Sequence, residues 1–348
     1  MGTLVFSILL ALGSPAWASE DPLVCSLNSA LSPGQVAVQV GVREFQRDFW
    51  AGNQPGLLAG YANLYTQVQS LNNTTGIPSF ESLFGYRFEL DMLWQKSARN
   101  LFEISMPYYD QELSPYVGTA SVGQPSNLND SAANKSDTYG DLGLGWRGVV
   151  LGTAKGPWSL GLGLDLDIPT GQGPFSSPNI LVATGVGGFS GAALLDLEAS
   201  GSIWKGWIQG RLPYELGYSA YVGPGTFVAY DSNAPGPNYA DSFQGGNAWV
   251  NRAFSYTATA GFGWDWYVTD AVRHRVAVEV QLNEEGALLL DGQPVLNSYS
   301  MELDVIPEAR FAFDKTLAIN LGWVLPTMAE NRFFAQYGEI IVRLDYTL

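Results

Sequence analysis

The chain has 348 residues, of which 46% are hydrophobic and 14% charged, and its formal net charge is −16. This acidic balance argues against DNA, RNA and anionic lipid headgroups as partners, because binding to polyphosphate relies on Lys and Arg. A single cysteine, Cys25, and a single histidine, His274, exclude an intramolecular disulfide and give no basis for a zinc site.

The first 18 residues have the pattern of a secretory signal. An apolar run from Leu4 to Leu12 is followed by Ala16-Trp17-Ala18, the small-x-small pattern that precedes cleavage. We therefore expect residues 1–18 to be a signal peptide that is removed on export. The alternative is a short buried helix. No later segment has the 18 or more consecutive apolar residues of a transmembrane helix.

Residues 80–95 show the clearest secondary-structure pattern. Every second residue is apolar or aromatic, as at Phe88, Leu90 and Met92, whereas the residues between them carry charges, as at Glu89 and Asp91. Side chains alternate across a strand with a period of two, so this segment is predicted to be a strand with one oily and one charged face.

The same alternation recurs along the chain, in segments that are commonly long enough to cross a bilayer at a tilt. The predicted strands are 36–45, 80–95, 101–113, 137–151, 157–169, 179–201, 206–222, 249–267, 272–283, 299–313, 316–326 and 337–348. Residues 57–69 alternate weakly and are assigned to a long outer loop, 46–79, with fourteen strands as the alternative count.

The connections between these segments alternate in length. Short links at 96–100, 152–156, 202–205, 269–271 and 314–315 are interleaved with long polar ones at 114–136, 170–178, 223–248, 284–298 and 327–336. Short turns on one side and long loops on the other are typical of outer-membrane barrels. In lipid every backbone polar group must be hydrogen-bonded within the protein, so a β-sheet that spans the membrane has to close into a barrel.

The predicted fold is therefore all-β: a transmembrane antiparallel up-and-down barrel of about twelve strands at residues 36–348, after a periplasmic N-terminal segment at 19–35. Trp94, Tyr108, Trp158, Trp264 and Trp266 lie near predicted strand ends and are expected to form interfacial aromatic girdles. We expect an outer-membrane monomer whose partners are lipid, small solutes and the barrel assembly machinery, which would recognise the C-terminal strand.

Three short motifs resemble those of an outer-membrane barrel family, the putative MetA pathway of phenol degradation. They are Pro107-Tyr108 within LFEISMPYY, Gly140-Asp141-Leu142 within YGDLGLGW, and Pro169-Thr170-Gly171 within LDLDIPTGQG. The resemblance extends over about residues 80–348. It implies an exported barrel that passes small, often apolar or aromatic compounds, and it carries over no binding residue.

Charged residues on the polar face are candidates for lining the lumen. They are Glu81, Arg87, Glu89, Asp91, Glu103, Asp141, Arg147, Asp165, Asp167, Arg211, Glu215, Arg275, Glu279, Glu302, Asp304 and Arg310. An acidic lining would admit cations or neutral solutes over anions. The alternative is a structural ion-pair network that fills a narrow barrel, because buried charges must be paired.

Two further functions compete with a channel. A sealed barrel with long loops would act as a structural or adhesive surface protein. A surface hydrolase would need a general base beside its nucleophile. The sequence contains one histidine that could take this role, His274, and it lies next to a predicted periplasmic turn. We expect neither catalysis nor a cofactor.

Overall fold

The computed structural model describes residues 3–6, 18–21, 31–48, 80–115, 135–153, 156–173, 184–222, 227–228, 241–242, 246–269, 272–294, 300–314, 316–330 and 338–348. Twelve long antiparallel strands in these ranges form the barrel. They are β1 (Val36–Asp48), β2 (Phe80–Ser97), β3 (Asn100–Pro115), β4 (Leu142–Gly152), β5 (Trp158–Ile168), β6 (Ser190–Ser200), β7 (Trp204–Glu215), β8 (Tyr256–Val268), β9 (Arg273–Glu285), β10 (Ser300–Ala312), β11 (Leu317–Glu330) and β12 (Glu339–Thr347).

Each strand pairs with the next along the chain, and the last strand pairs with the first. In that closing pair Thr347 on β12 lies opposite Ala37 on β1, and the Leu348 N–H donates to the Val36 carbonyl at 2.8 Å. Both ends of the barrel domain therefore lie on the rim with the short turns. The predicted all-β fold and closed barrel of about twelve strands are confirmed.

One extra short strand, Lys135–Tyr139, precedes β4 and pairs with the outer half of β3. The sequence predicted a single strand over 137–151, but Gly140 and Asp141 interrupt it. At this break the Gly140 N–H still donates to β3, whereas the Gly140 carbonyl and the Asp141 carboxylate accept hydrogen bonds from other segments, which are described with the site below.

Three other boundaries differ from the prediction. Strand β6 begins at Ser190, after the irregular residues 184–189, and not at 179; residues 179–183 are outside the described part. The predicted strand 206–222 is divided at residues 216–217, and the predicted strand 249–267 is divided at residues 253–255. Alternation alone does not reveal these breaks, because the side-chain pattern continues on both sides of them.

The predicted loops 223–248 and 284–298 contain short strands. A separate four-stranded sheet is formed by Tyr218–Val222, Gly246–Arg252, Leu288–Leu290 and Gln293–Pro294, and Phe227–Val228 pairs with Asp241–Ser242. Strands of two to seven residues are too short to show a clear period of two in the sequence.

The two faces of the wall differ as predicted. On β2 the Leu90 side chain is 46% exposed, whereas its neighbours Glu89 and Asp91 are 6% and 1% exposed. The same contrast continues around the barrel, with outward-facing apolar side chains exposed at Val40, Ile104, Leu164, Leu195, Ile208, Phe262, Val278, Leu321 and Leu344. Soluble monomers rarely expose so continuous an apolar surface, so this band is the lipid-facing side of a transmembrane barrel.

The expected girdle tryptophans lie on the outer surface. Trp94, Trp158, Trp264 and Trp266 are each between 43% and 51% exposed, and all four lie toward the rim with the short turns. Trp94 packs against Phe102 with ring centroids 5.8 Å apart. Amphipathic rings at this depth suit the interface between hydrocarbon and headgroups.

Among the described residues, no helix is long and apolar enough to span a membrane. Thr3–Phe6 pairs with Ala18–Asp21 in a two-stranded sheet separate from the barrel, and this pair extends across the end of the expected signal peptide at residue 18. The weakly alternating residues 57–69 lie outside the described part of the chain.

Candidate functional site

The inner face of the barrel is the candidate site, and its residues alternate small and long. Gly163 on β5 lies directly opposite Arg147 on β4, and a Cβ atom added to Gly163 would be 2.7 Å from the Arg147 Cδ. The indole of Trp207 on β7 lies in the same way across Gly261 on β8. Glycines therefore make room for long side chains that lie against the wall and fill the interior.

Asp165 on β5 is held between two arginines. Its Oδ1 is 2.5 Å from Arg147 Nη1 and its Oδ2 is 3.1 Å from Arg211 Nη2, and all three side chains are at least 94% buried. A buried carboxylate requires such compensation, because desolvation of an unpaired charge is costly. These three predicted residues form one ion-paired group across β4, β5 and β7.

A second group lies where β12 meets β11. Asp345 accepts hydrogen bonds from Arg310 Nη1 at 2.5 Å, from Asn320 Nδ2 at 2.8 Å and from Arg343 Nε at 3.1 Å. Gln39 Nε2 on β1 donates to the same carboxylate at 3.0 Å. Asp345 thus binds groups from four neighbouring strands.

Ion pairs also lie near both ends of the interior. Toward the short-turn rim, Arg275 makes a two-pronged contact with Asp265, at 2.6 and 3.1 Å. At the opposite end, Arg252 lies 3.2 Å from Glu215 and 3.4 Å from Glu285.

Carboxylates predominate on one side of the interior, on strands β9 and β10. Glu279 accepts a hydrogen bond from Trp207 Nε1 at 3.1 Å, and Glu302, Asp304 and Glu308 are each at most 7% exposed. The residues opposite Glu302 and Asp304 on β9 are the neutral Asn283 and Gln281. Among the described side chains of these two strands, the inward carboxylates outnumber the two inward arginines, Arg275 and Arg310.

The structure brings the three family-like motifs into one hydrogen-bonded junction. The Gly140 N–H donates to the Pro107 carbonyl at 2.9 Å, and the Thr170 hydroxyl donates to the Gly140 carbonyl at 2.8 Å. The Asp141 carboxylate accepts the backbone N–H groups of Gly171 at 2.9 Å and Val186 at 2.8 Å. Residues that are far apart in the sequence thus fix the break in the wall before β4.

This junction is also sterically tight. A Cβ on Gly140 would lie 2.6 Å from the ring of Tyr109 and 2.8 Å from Pro107 Cγ, and a Cβ on Gly171 would lie 2.8 Å from the Thr184 carbonyl oxygen. Asp141 was predicted as a lumen residue, and the structure places its carboxylate on backbone N–H groups of the junction.

Most other candidate residues lie on the inner face. Arg87 and Glu89 form an ion pair at 2.6 Å, with 0% and 6% of their side chains exposed. Asp91, Glu103, Glu279, Glu302 and Asp304 are buried there, and Asp167, Glu215, Arg275 and Arg310 are less completely covered. The side chain of Glu81 lies outside the described part.

Several inner residues were not among the candidates, both charged ones such as Asp265, Glu308 and Asp345 and neutral polar ones. Gln39, Ser105, Gln209, Thr259, Gln281, Asn283 and Asn320 are all buried on this face. Their parity within each strand would have identified them, since inward residues recur at every second position.

His274 has aromatic surroundings. Its ring centroid is 5.2 Å from those of Trp266 and Tyr267 and 5.8 Å from that of Phe311. In the described part of the chain, no group of three or more His, Cys, Asp and Glu side chains is arranged to hold a metal ion.

The comparisons support the fold and do not assign a family. No protein-family model matches the chain, and no curated protein matches it significantly, so the resemblance to the phenol-degradation family remains an expectation. Among solved structures, an outer membrane channel from Pseudomonas putida F1 superposes with a TM-score of 0.60 at 14% identity, over 91% of this chain and 97% of that one.

Two other barrels are similar at lower TM-scores. The NanC porin gives 0.41 at 8% identity, over 90% of this chain and 98% of that one. The toluene transporter TodX of Pseudomonas putida gives 0.41 at 11% identity, over 99% of both chains. At these identities the likenesses concern the fold alone.

Proposed function

We propose that this protein is an outer-membrane channel through which small solutes cross passively, apolar or aromatic compounds among them. The observation that carries the proposal is that neighbouring residues of the closed wall point to opposite faces. Leu90 faces outward and is exposed, whereas Glu89 and Asp91 face a buried polar interior. A barrel with a lipid-facing exterior and a polar interior is the architecture of outer-membrane proteins. The fold likeness to a solved outer membrane channel supports the same location.

The charge of the interior favours cations and neutral solutes. Among the buried side chains of the described part, carboxylates outnumber basic groups. Such an excess attracts cations and repels anions at close range. The wall formed by β9 and β10, with Glu279, Glu302 and Asp304, is the most acidic part and is expected to contribute most to this selectivity.

Apolar contacts inside the barrel support the aromatic part of the proposal. Leu31, Ala37, Leu93 and Leu101 form one buried cluster toward the short-turn rim, and Ile306, Val324 and Ile341 form another. All seven side chains are at most 7% exposed, so a small aromatic molecule packs against these patches only when the side chains that cover them move aside. The solute class implied by the family resemblance agrees with this arrangement.

Conductance in planar bilayers tests the channel. Wild-type protein is expected to give stepwise increases in conductance, and the current is expected to be carried more by cations than by anions. The double variant Glu302→Gln, Asp304→Asn removes two inward charges and is expected to reduce that preference. The control Glu44→Gln removes a charge from an exposed position and is expected to leave it unchanged. Equal selectivity in all three proteins would contradict the assignment of the interior as the path.

Liposome efflux tests the solute class. A neutral aromatic alcohol and an aromatic carboxylate of similar size are loaded into vesicles with and without the protein. The alcohol is expected to leave faster in the presence of the protein, and the carboxylate is expected to show a smaller effect, because the interior is acidic. Release of both at the rate of protein-free vesicles would exclude transport of this class.

A sealed structural barrel is the second candidate, and the burial of the interior favours it. Arg87, Arg211 and Arg343 are almost completely buried although they lie on the inner face. Other side chains therefore surround them in the interior, which favours a filled barrel over an open pore. If the folded protein gives no conductance steps in bilayers, the structural role would be favoured. Adhesion through the outer loops would then be the next activity to measure.

The partner proposals follow from the barrel. The C-terminal strand β12 has exposed Ile340, Val342, Leu344 and Tyr346 alternating with buried residues, which suits recognition by the barrel assembly machinery. A closed barrel leaves no strand edge for pairing with a second copy, which agrees with a monomer. We do not propose a hydrolase, because the contacts of His274 in the described residues are aromatic rings.

A further inference from the structure

Asp91, on the inner face of β2, is a buried carboxylate whose two oxygens have no hydrogen-bond donor. The side chain is 1% exposed, and among the described residues neither Oδ1 nor Oδ2 has a partner. An ionised carboxylate in this position is costly unless a positive group compensates it. The described residues provide no ion pair for it.

A second, neutral acceptor faces the same position. Gln39 on β1 is the register partner of Asp91 and is 0% exposed. Its Nε2 donates to Asp345 on the other side, and its Oε1 has no donor. Directly opposed residues on antiparallel strands have Cβ atoms about 4.5–5.5 Å apart. Asp91 and Gln39 are thus register partners, and three of their acceptor oxygens have no hydrogen-bond donor among the described residues.

The nearby arginines are already bound to other carboxylates. Arg87 is ion-paired with Glu89 at 2.6 Å, and Arg343 Nε donates to Asp345 at 3.1 Å. These four groups are the charges that act on Asp91, and the two carboxylates oppose the attraction of the two arginines. Asp91 therefore lies in a mixed field of two arginines and two carboxylates, and burial is the largest cost of its negative charge.

A cavity lies beside this position. Ser105 on β3 is the register partner of Asp91 on its other side, and Ser105 lines a cavity together with Glu103, Gly143, Asp165, Asp167 and Arg211. Gln39, Asp91 and Ser105 therefore form one row across three strands that ends at the cavity.

We propose that Asp91 and Gln39 bind a monovalent cation inside the barrel, with Asp91 supplying the charge and the Gln39 amide oxygen a neutral ligand. The chemistry fits either an alkali-metal ion or the ammonium group of a solute, since both are singly charged and both bind oxygen acceptors. The inference rests on the proposed channel function only for the route by which the cation arrives.

Isothermal titration calorimetry on the full chain in detergent tests the site directly. Rubidium chloride and methylammonium chloride are titrated separately, with a choline salt keeping the ionic strength constant. Wild-type protein is expected to bind one equivalent of at least one of the two cations. Tighter binding of rubidium identifies an ion site, and tighter binding of methylammonium identifies a site for solute amines.

The variant Asp91→Asn keeps the shape of the side chain and removes its charge. It is expected to weaken cation binding roughly tenfold or more, because the electrostatic attraction between the cation and the ionised carboxylate is lost with the charge. Asp196→Asn is the matched control, since Asp196 is a buried inward carboxylate that already accepts a hydrogen bond from Gln209. Its cation affinity is expected to equal that of the wild type.

Two results would overturn the proposal. The first is the absence of saturable cation binding by the wild type, as expected if Asp91 carries a proton instead. The second is equal cation binding by the wild type and by Asp91→Asn. Circular dichroism of each variant shows whether the barrel is folded. Binding without conductance would contradict the channel and leave the cation site in place, whereas conductance without binding would contradict the site alone.

Discussion

Arg147 on β4 lies across Gly163, its register partner on β5, so closely that a single methyl group on the glycine would be 2.7 Å from the arginine Cδ. The arginine reaches Asp165 only by following the wall, with Nη1 2.5 Å from the carboxylate. The absence of a side chain at one position thus determines the ion pair at another.

We expect Gly163→Ala to displace Arg147 and to destabilise the barrel. The added Cβ would also lie 3.0 Å from the Trp146 carbonyl oxygen, which is backbone and does not move freely. Overpacking of this kind costs about 1–3 kcal/mol. Urea unfolding in lipid vesicles measures the difference. Gly210→Ala is the control, because a Cβ there has no atom within 4 Å, and equal stability of both variants would contradict the argument.

Leu90→Arg tests the lipid-facing surface. Leu90 is 46% exposed on the outer face of β2, and an arginine near the bilayer midplane costs about 2–4 kcal/mol. The free energy of folding into vesicles is expected to fall by about that amount. Leu90→Phe keeps the position apolar and should fold like the wild type. Tolerance of arginine there would mean that this face does not meet hydrocarbon.

The junction at the break before β4 depends on Asp141. Asp141→Ala leaves the N–H groups of Gly171 and Val186 without their acceptor, and an unsatisfied buried donor costs about 1–3 kcal/mol. We expect lower stability and faster proteolysis in the segment between these two residues. Asp141→Asn retains one acceptor oxygen and should give an intermediate result. Wild-type resistance in the alanine variant would show that the junction is held by other contacts.

Asp314 lies in the short turn between β10 and β11. Hydrogen bonds from the Thr316 hydroxyl and from the backbone N–H groups of Thr316 and Leu317 lower the pKa of its carboxyl. Because the pKa of Asp314 is lower in the folded state than in the unfolded state, the ionised carboxylate stabilises the fold. This stabilisation is fully present above the pKa of the unfolded state and is lost as the pH falls through the pKa of the folded state.

The resulting pH dependence is confined to acid conditions. Unfolding rates of the wild type are expected to rise below about pH 4, the ordinary range of an aspartate, and Asp314→Asn should remove that part of the dependence. The side chain is fully exposed, so the effect is small. An identical acid profile for both proteins would show that the turn does not depend on this charge.

The sequence predicted the barrel and the two faces of its wall because side chains alternate strictly along a strand. Leu90 and Glu89 were assigned to opposite faces from their parity, and the structure places one outside and one inside. It did not predict the break at Gly140 and Asp141, since the hydrogen bonds at the break join these two residues to Pro107, Thr170 and Val186, which are distant in the chain.

The sequence by itself determined which residues face inward, because a period of two is a local property of extended backbone. Only the tertiary structure decided which of them meet. The register of each strand pair places Arg147 opposite Gly163 and Gln39 opposite Asp91, and register depends on contacts between strands that no local pattern specifies. Hence Asp165 has two arginines, whereas Asp91, in an equally polar segment, lies opposite the neutral Gln39.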